Sequence, residues 1–165
     1  MSGLEIERKF LVHKHKDWKS RAVSSSHIQQ GYMTAVNTVR VRVRDQQAFL
    51  TIKGKAVNGG LTRYEFEKEI TLDEARHLLQ LCEPGIIDKC RYLIPYNGHT
   101  FEVDEFFGDN EGLVMAEVEM GSETEHVDLP DFIGIEVTGD HRFYNKQMRR
   151  NPFKLWRDTL PEEYR

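Results

Sequence analysis

Charged side chains of one sign recur at every second position along several segments of this chain. The clearest case is Val39–Arg44, where three arginines alternate with three valines. Because residues two apart lie on the same face of a strand, such a segment predicts a strand with one charged face and one apolar face. The chain must therefore fold into a sheet that gives both kinds of face a suitable environment.

Eight segments show this alternation, and tight turns separate several of them. Asn58-Gly59-Gly60 and Asn97-Gly98 are typical of β-hairpin turns. Many short strands joined by such turns favour an antiparallel barrel or sandwich. The predicted strands are Leu4–Val12, His27–Thr34, Thr38–Asp45, Ala48–Val57, Leu61–Thr71, Ile87–Tyr96, Thr100–Phe107 and Leu113–Gly121.

Helical patterns are few. Leu72–Cys82 carries an apolar stripe, and Thr71 with Glu74 predicts a capping box at its start. Asp17–Val23 and His141–Arg150 are the other predicted helices, the second ended by a proline. No linker or repeat divides the 165 residues. We therefore expect one domain over 1–165, with a C-terminal helix and tail at about 140–165 whose last five residues are solvated.

Composition excludes several classes of protein. A net charge of −4 and a pI near 6.0 argue against a nucleic-acid coat protein. The two cysteines make no disulfide framework and fit a reducing compartment. No apolar run approaches the ~20 residues that span a bilayer, and the start of the sequence does not predict a signal peptide. We expect a cytoplasmic protein without a nucleic-acid or membrane partner.

The charged rows could lie outside or inside the sheet. Antiparallel sheets commonly have one solvated face, which would place the rows outside. Sorting by sign favours the inside, because neighbouring like charges repel unless a ligand separates them. Arginine rows suit a polyanion, paired carboxylates suit a divalent cation, and about eight strands can enclose one small ligand. We expect a mainly β (α+β) fold: an eight-stranded antiparallel closed β-barrel, or tunnel, with a charged lumen and a few outer helices.

The order of the rows resembles a known family. Glu5, Glu7 and Lys9 form an E-x-E-x-K motif, which R-x-R, K-x-K, E-x-E, K-x-R and a second E-x-E follow in order. This series, spread over about Leu4–Arg150, resembles the CYTH superfamily, also called the triphosphate tunnel metalloenzymes. The resemblance implies an eight-stranded tunnel that hydrolyses or cyclises triphosphate compounds with Mg²⁺ or Mn²⁺.

The same resemblance implies roles for individual residues. The implied metal ligands are Glu5, Glu7, Glu117, Glu119 and Asp104. The implied phosphate-binding residues are Lys9, Arg40, Arg42, Lys53, Lys89 and Arg91. Glu65, Glu67 and Tyr32 are expected to support them, and the candidate catalytic residues are Lys9, Glu7 and Glu119. Arg44, Lys55, Arg63, Glu69 and Glu102 are expected near the rims.

Two short segments of the sequence bear on which triphosphate compound is the substrate. The connection between Gly31 and Thr38 is short, and only three residues precede Leu4. Both features resemble the short bacterial members, for which hydrolysis of inorganic triphosphate to pyrophosphate and phosphate is the leading activity. The alternatives are a thiamine triphosphatase, a nucleoside triphosphatase, a class IV adenylyl cyclase and a non-catalytic polyphosphate- or nucleotide-binding module. An apolar outer face with few helices to cover it predicts a homodimer.

Overall fold

The computed structural model describes residues 3–33 and 36–165, and in this part of the chain nine strands form one antiparallel sheet. The two α-helices of the same part are α1 (Leu72–Gln80) and α2 (Asn145–Met148). The strands are β1 (Leu4–Val12), β2 (Ser24–Met33), β3 (Thr38–Arg44), β4 (Gln47–Lys53), β5 (Thr62–Ile70), β6 (Ile87–Tyr96), β7 (His99–Phe106), β8 (Val114–Glu119) and β9 (Ile133–Glu136).

Strand β1 closes the sheet into a barrel. The strand order is β5-β4-β3-β2-β6-β7-β8-β1, and the first half of β1 pairs back onto β5, from Leu4↔Tyr64 to Ile6↔Thr62. The second half of β1 pairs with β8 on one side and with β9 on the other. The predicted eight-stranded closed antiparallel barrel is confirmed, with β9 as an additional strand.

The charged rows face the lumen. Every basic side chain that the motifs place in the phosphate-binding set is buried, and the valines of β3 point outward. Helix α1 covers part of that outer face, so that Val41, Ala48 and Ala75 are fully buried together. The predicted capping box is present: the Thr71 hydroxyl accepts from the Glu74 backbone N–H, and the Glu74 carboxylate accepts from the Thr71 N–H.

Loops cover another part of the outer face. Trp18 and the segment from Met120 to Phe132 pack onto outward side chains of β1, β7 and β8, including Phe10, Phe101 and Val118. This packing buries apolar surface that no helix reaches, which stabilises the barrel wall. In the described residues, neither helix has the length and apolar character needed to cross a membrane.

An apolar cap fills one end of the barrel. Five strands contribute side chains to this cap. In four of the strands the cap residue shares an inward face with a charged neighbour, as Leu11 does with Lys9. The C-terminal segment packs onto this layer, and Tyr164 is only 4% exposed. The prediction of a solvated tail therefore holds for Pro161, Glu162, Glu163 and Arg165, which are exposed, and is wrong for Tyr164. The members of the cap are Leu11, Tyr32, Ile87, Phe106, Leu113, Met115, Val137, Phe143, Met148, Phe153, Trp156, Leu160 and Tyr164.

Two predicted helices are wrong. Asp17–Val23 contains a single 3-10 turn, Lys19–Arg21. His141–Arg150 is divided into a 3-10 turn, His141–Phe143, and α2, because Tyr144 between them has an extended backbone (φ −76°, ψ 128°). This break allows Phe143 and Met148 both to enter the apolar cap.

Strand boundaries differ at a few places. Strand β4 ends at Lys53 rather than Val57, and Val57 makes only an isolated bridge to Thr62. Strand β2 begins three residues before His27, and its predicted end, Thr34, lies outside the described residues. Strand β9 was not predicted because it has only four residues and includes Gly134.

Candidate active site

A cavity of about 780 Å³ occupies the charged part of the lumen. Of the rim candidates, Arg44, Lys55, Arg63 and Glu102 line it, and Glu69 does not. Asp104 also lies behind the cavity surface, with 1% of its area exposed. The other predicted site residues that line the cavity are Glu5, Glu7, Lys9, Tyr32, Arg40, Arg42, Lys53, Glu65, Glu67, Lys89, Arg91, Glu117 and Glu119.

Asp104 holds two basic side chains in place. Its carboxylate accepts from Lys89 Nζ at 2.7 Å, and from Nε and Nη2 of Arg91 at 2.7 and 2.8 Å. Burial opposes ionisation of Asp104, but Arg91 and Lys89 hold its pKa below the usual value. A bidentate arginine pair of this kind fixes the guanidinium plane. In this structure Asp104 therefore orients phosphate-binding candidates.

The basic side of the cavity has more positive charge than the nearby carboxylates offset. Burial, with Arg40 and Arg91 close by, lowers the pKa of Arg42 to about 9. Burial, with Arg91 and Arg42, lowers the pKa of Lys89 to about 7 in spite of Asp104. Arg40 Nε is buried and has no hydrogen-bond partner among the described residues. An anion in the cavity would supply both the missing charge and the missing acceptor.

The acidic side consists of carboxylates from β1 and β8. The strand register sets Glu7 opposite Glu119 and Lys9 opposite Glu117. Burial, Glu117 and Glu5 raise the pKa of Glu7 well above its usual value. Burial and Glu5 also raise the pKa of Glu119. Two carboxylates that cannot easily ionise side by side are typical of a site that a cation completes.

These carboxylates fit a hard divalent cation. Glu5, Glu7, Glu117 and Glu119 offer oxygen donors only, which Mg²⁺ and Mn²⁺ prefer. Glu7 hydrogen-bonds to Glu117, and that bond, with Lys9 and Arg91, keeps the pKa of Glu117 well below its usual value in spite of burial. A divalent cation held by these carboxylates would offset their mutual repulsion.

Two lysines join the acidic and basic sides. Lys53 Nζ donates to Glu5 Oε1 at 2.9 Å. Lys9 Nζ lies 3.6 Å from Glu117 Oε1 and 5.0 Å from the centre of the Tyr144 ring. Burial lowers the pKa of Lys9, but Glu117 and Glu7 outweigh burial and raise it. Lys9 therefore remains a cation at the boundary between the two sides.

Sequence reasoning missed two positioning residues. Gln30 is fully buried; its Oε1 accepts from Arg42 Nε at 2.7 Å, and its Nε2 donates to Tyr32 Oη at 2.8 Å. Asn145 Oδ1 in α2 accepts from Gln30 Nε2 at 3.2 Å and from Lys89 Nζ at 3.0 Å. Gln30 could have been found, because it shares the inward face of β2 with Tyr32. Asn145 lies beyond a helix break that the sequence does not signal.

The family model described as "CYTH domain" matches residues 3–147, which include every residue that lines the cavity. The chain belongs to the CYTH family. It is 43% identical over 159 residues to an inorganic triphosphatase of Acetivibrio thermocellus, an alignment that covers 94% of this chain and 99% of that one. It is 36% identical over 151 residues to an inorganic triphosphatase of Nitrosomonas europaea, with 87% and 95% covered.

Comparison with a solved structure supports the same family assignment. The crystal structure of an inorganic triphosphatase superposes with a TM-score of 0.62 at 30% identity, over 92% of this chain and 94% of that one. The predicted family membership is thereby confirmed by both sequence and structure. The CYTH barrel of this chain contains all six motif rows that suggested the family.

Proposed function

We propose that this protein hydrolyses inorganic triphosphate to pyrophosphate and phosphate, with Mg²⁺ or Mn²⁺ bound by Glu5, Glu7, Glu117 and Glu119. The observation that carries the proposal is the division of a single cavity into a carboxylate side and an arginine–lysine side. Such a cavity has donors for a metal and for a polyanion within reach of one small ligand. The inorganic triphosphatases named among the relatives, 43% and 36% identical, support the choice of reaction.

The basic residues have the simplest role in this mechanism. Phosphoryl transfer needs chiefly positioning and stabilisation of charge. Arg40, Arg42, Lys89 and Arg91 would bind the phosphate oxygens, and Gln30 and Asp104 would hold the guanidinium groups in place. Lys53 and Lys9, at the boundary of the two sides, would neutralise the charge that develops on the leaving pyrophosphate.

The carboxylates would accept the proton of the attacking water. A bound Mg²⁺ or Mn²⁺ would polarise a phosphoryl oxygen and favour ionisation of water. Water attacks the terminal phosphorus, an oxygen–phosphorus bond forms, and the bond to the pyrophosphate oxygen breaks. Glu7 and Glu119 are the proposed proton acceptors, because both carboxylates line the cavity that would hold the substrate and the attacking water.

The lining of the cavity favours an inorganic substrate over a nucleotide or thiamine triphosphate. Among the described residues, the aromatic rings that line it are Tyr32, Tyr144 and His141. The Tyr32 hydroxyl is bonded to Gln30, and Tyr144 stacks on His141 with ring centroids 5.0 Å apart. Tyr144 also has Lys9 close to its ring. These rings are engaged by the protein, so they offer little stacking surface to a base.

A phosphate-release assay tests the proposal. Inorganic triphosphate, thiamine triphosphate and ATP are compared with Mg²⁺ and with Mn²⁺, and cyclic AMP is measured in the ATP reaction. We expect fastest release from inorganic triphosphate, loss of release with a chelator, and a fall of roughly 100-fold or more in Glu119→Gln. Glu125→Gln is the matched control, because Glu125 is bonded to His99 and does not line the cavity.

Three outcomes would contradict parts of this function. Tight binding of triphosphate without phosphate release would show a binding module. Formation of cyclic AMP as the main product would show a cyclase. Unchanged turnover in Glu119→Gln would remove the proton-acceptor and metal roles from that residue.

We also propose a homodimer, formed by a second copy on the outer wall of β1, β4 and β5. Leu4, Ile52, Tyr64 and Phe66 are 42%, 38%, 54% and 46% exposed there. Leu4 pairs with Tyr64 and Ile52 pairs with Phe66 across the strands, so the four form one apolar surface. Helix α1 and the Met120–Phe132 loop cover other parts of the wall, and an uncovered apolar surface on a sheet favours self-association.

A further inference from the structure

We propose that His13, His15 and Glu163 form a second metal site, outside the cavity, that takes a transition-metal ion such as Zn²⁺. Each residue offers one ligand atom, and the three atoms lie within 4.8 Å of one another. His13 Nδ1 and Glu163 Oε2 are 2.8 Å apart. None of the three lines the cavity, so this site is separate from the carboxylates of the lumen.

The ligand chemistry separates the two sites. Two imidazoles and one carboxylate are a common ligand set for Zn²⁺, whereas Mg²⁺ and Mn²⁺ prefer oxygen donors alone. The side chains of His13 and Glu163 are 26% and 43% exposed, so an ion can reach them and water can occupy a fourth position. A small rotation of exposed side chains would bring the ligand atoms to coordination distance of one ion.

Backbone contacts bring the three ligands together without a metal. His13 N–H donates to Phe132 C=O at 2.8 Å, and His13 C=O accepts from Lys16 N–H at 3.0 Å in the turn that carries His15. Tyr164, next to Glu163, is buried in the apolar cap and stacks on the His13 ring with centroids 5.7 Å apart. The turn after β1 and the C-terminal segment are therefore held against each other at this point.

His15 distinguishes a metal site from a simple ion pair. An ion pair of His13 with Glu163 accounts for those two side chains but not for the third. The His15 ring lies 5.8 Å from the His13 ring, and no hydrogen bond of its imidazole is found within the described residues. Its nitrogen lone pair, in the neutral form, is thus available to a metal.

The site would join the start of the barrel to its cap. His13 and His15 follow β1 directly, and Glu163 belongs to the segment whose Phe153, Trp156, Leu160 and Tyr164 close the barrel end. An ion bound by all three stabilises the folded chain more than the unfolded chain, because the unfolded chain separates Glu163 from the two histidines. The proposal does not depend on the hydrolytic function.

Calorimetric titration of the full chain with Zn²⁺, in millimolar Mg²⁺ that occupies the carboxylates of the lumen, tests the site. We expect one Zn²⁺ per chain and a higher temperature of thermal unfolding when Zn²⁺ is added. His15→Ala and Glu163→Gln should each weaken Zn²⁺ binding tenfold or more. His126→Ala is the matched control and should bind as the unaltered protein does, because His126 is exposed and hydrogen-bonds to nearby Asp128, away from His13, His15 and Glu163.

Two further readouts use the same variants. Zn²⁺ binding should weaken at acidic pH, since imidazole must be neutral to coordinate a metal. Phosphate release with Mg²⁺ should be unchanged in His15→Ala, which lies outside the cavity. Equal Zn²⁺ affinity of the unaltered protein, His15→Ala and Glu163→Gln would overturn the proposal, and so would failure of the unaltered protein to bind Zn²⁺.

Discussion

At the level of one residue, Glu7 destabilises the metal-free folded protein and is a proposed ligand of the metal. Burial of the carboxyl group, with Glu117 and Glu5 close by, raises its pKa well above 4.5. In an unfolded chain the same group would ionise near its ordinary pKa. Ionised Glu7 therefore destabilises the folded protein; the penalty is absent below the unfolded pKa and complete above the folded pKa. A bound divalent cation would remove it.

Glu7→Gln should make the metal-free protein more stable at pH 8 and less active. The amide keeps the shape of the side chain but carries no charge to be buried. We expect the thermal midpoint to rise by roughly 2–4 °C, about 1 kcal/mol for a chain of this size. The difference in midpoint between the variant and the unaltered protein should disappear near pH 4. Turnover with Mg²⁺ should fall ~100-fold or more.

The control for this experiment is Glu111→Gln, which alters an exposed carboxylate in a turn. Differential scanning calorimetry in a chelator gives the midpoints, and phosphate release gives turnover. A midpoint of Glu7→Gln that is equal to or lower than that of the unaltered protein at pH 8 would contradict the assigned direction of the Glu7 pKa.

At the level of elements, the strands could be predicted and the C-terminal pieces could not. The predicted bounds of Leu4–Val12 and Ile87–Tyr96 agree with the structure, since alternation over nine or ten residues is a local signal. Helix α2 is four residues long, and its position depends on Phe143 and Met148 entering the apolar cap. Tertiary contacts of this kind leave no period in the sequence.

Helix α2 should affect substrate binding more than turnover. Asn145→Ala removes the acceptor shared by Gln30 and Lys89, and Gln30 in turn orients Arg42. Loss of a hydrogen bond to a charged group costs about 1.5–3 kcal/mol, which corresponds to a rise in KM of roughly 10-fold or more. We expect kcat to change much less, because Asn145 does not touch the carboxylates that handle the proton.

Gln147→Ala is the matched control for Asn145→Ala. Gln147 lies two residues further along the same helix, lines the cavity and is exposed. Steady-state kinetics on inorganic triphosphate separates KM from kcat for both variants. A KM for Asn145→Ala within twofold of that for Gln147→Ala would show that the network of Gln30, Asn145 and Lys89 does not position the phosphate-binding groups.

At the level of the whole molecule, the site was predictable to the extent that it follows from closure of the barrel. Once the charged faces turn inward, the motif rows must meet in one lumen, and the predicted site residues line the cavity except for Asp104 and the rim candidate Glu69. The separation of positive and negative charges into different strands does not specify which side chains pair within the lumen. The position of Asp104 behind Lys89 and Arg91, and the burial of Gln30, depend on three-dimensional packing.

The proposed dimer is tested by Phe66→Glu. A carboxylate in the middle of the apolar wall of β1, β4 and β5 should separate the two copies, because an unpaired charge is costly to bury at an interface. Sedimentation equilibrium should give about half the mass of the unaltered protein. Leu155→Glu is the control: Leu155 is 67% exposed in the C-terminal segment, outside the wall. A single-copy mass for the unaltered protein would contradict the dimer.

The dual pairing of β1 has a consequence for the time course of synthesis. The ribosome makes β1 before β8 and β9, its partners on either side, and the paired Glu7 and Glu119 are 112 positions apart in the sequence. Contacts so distant along the chain form slowly, because a long loop must close first. The arginines of β3 emerge long before the carboxylates of β8 can offset them. A growing chain thus has no complete lumen in which to bind a polyanion until β8 has been made.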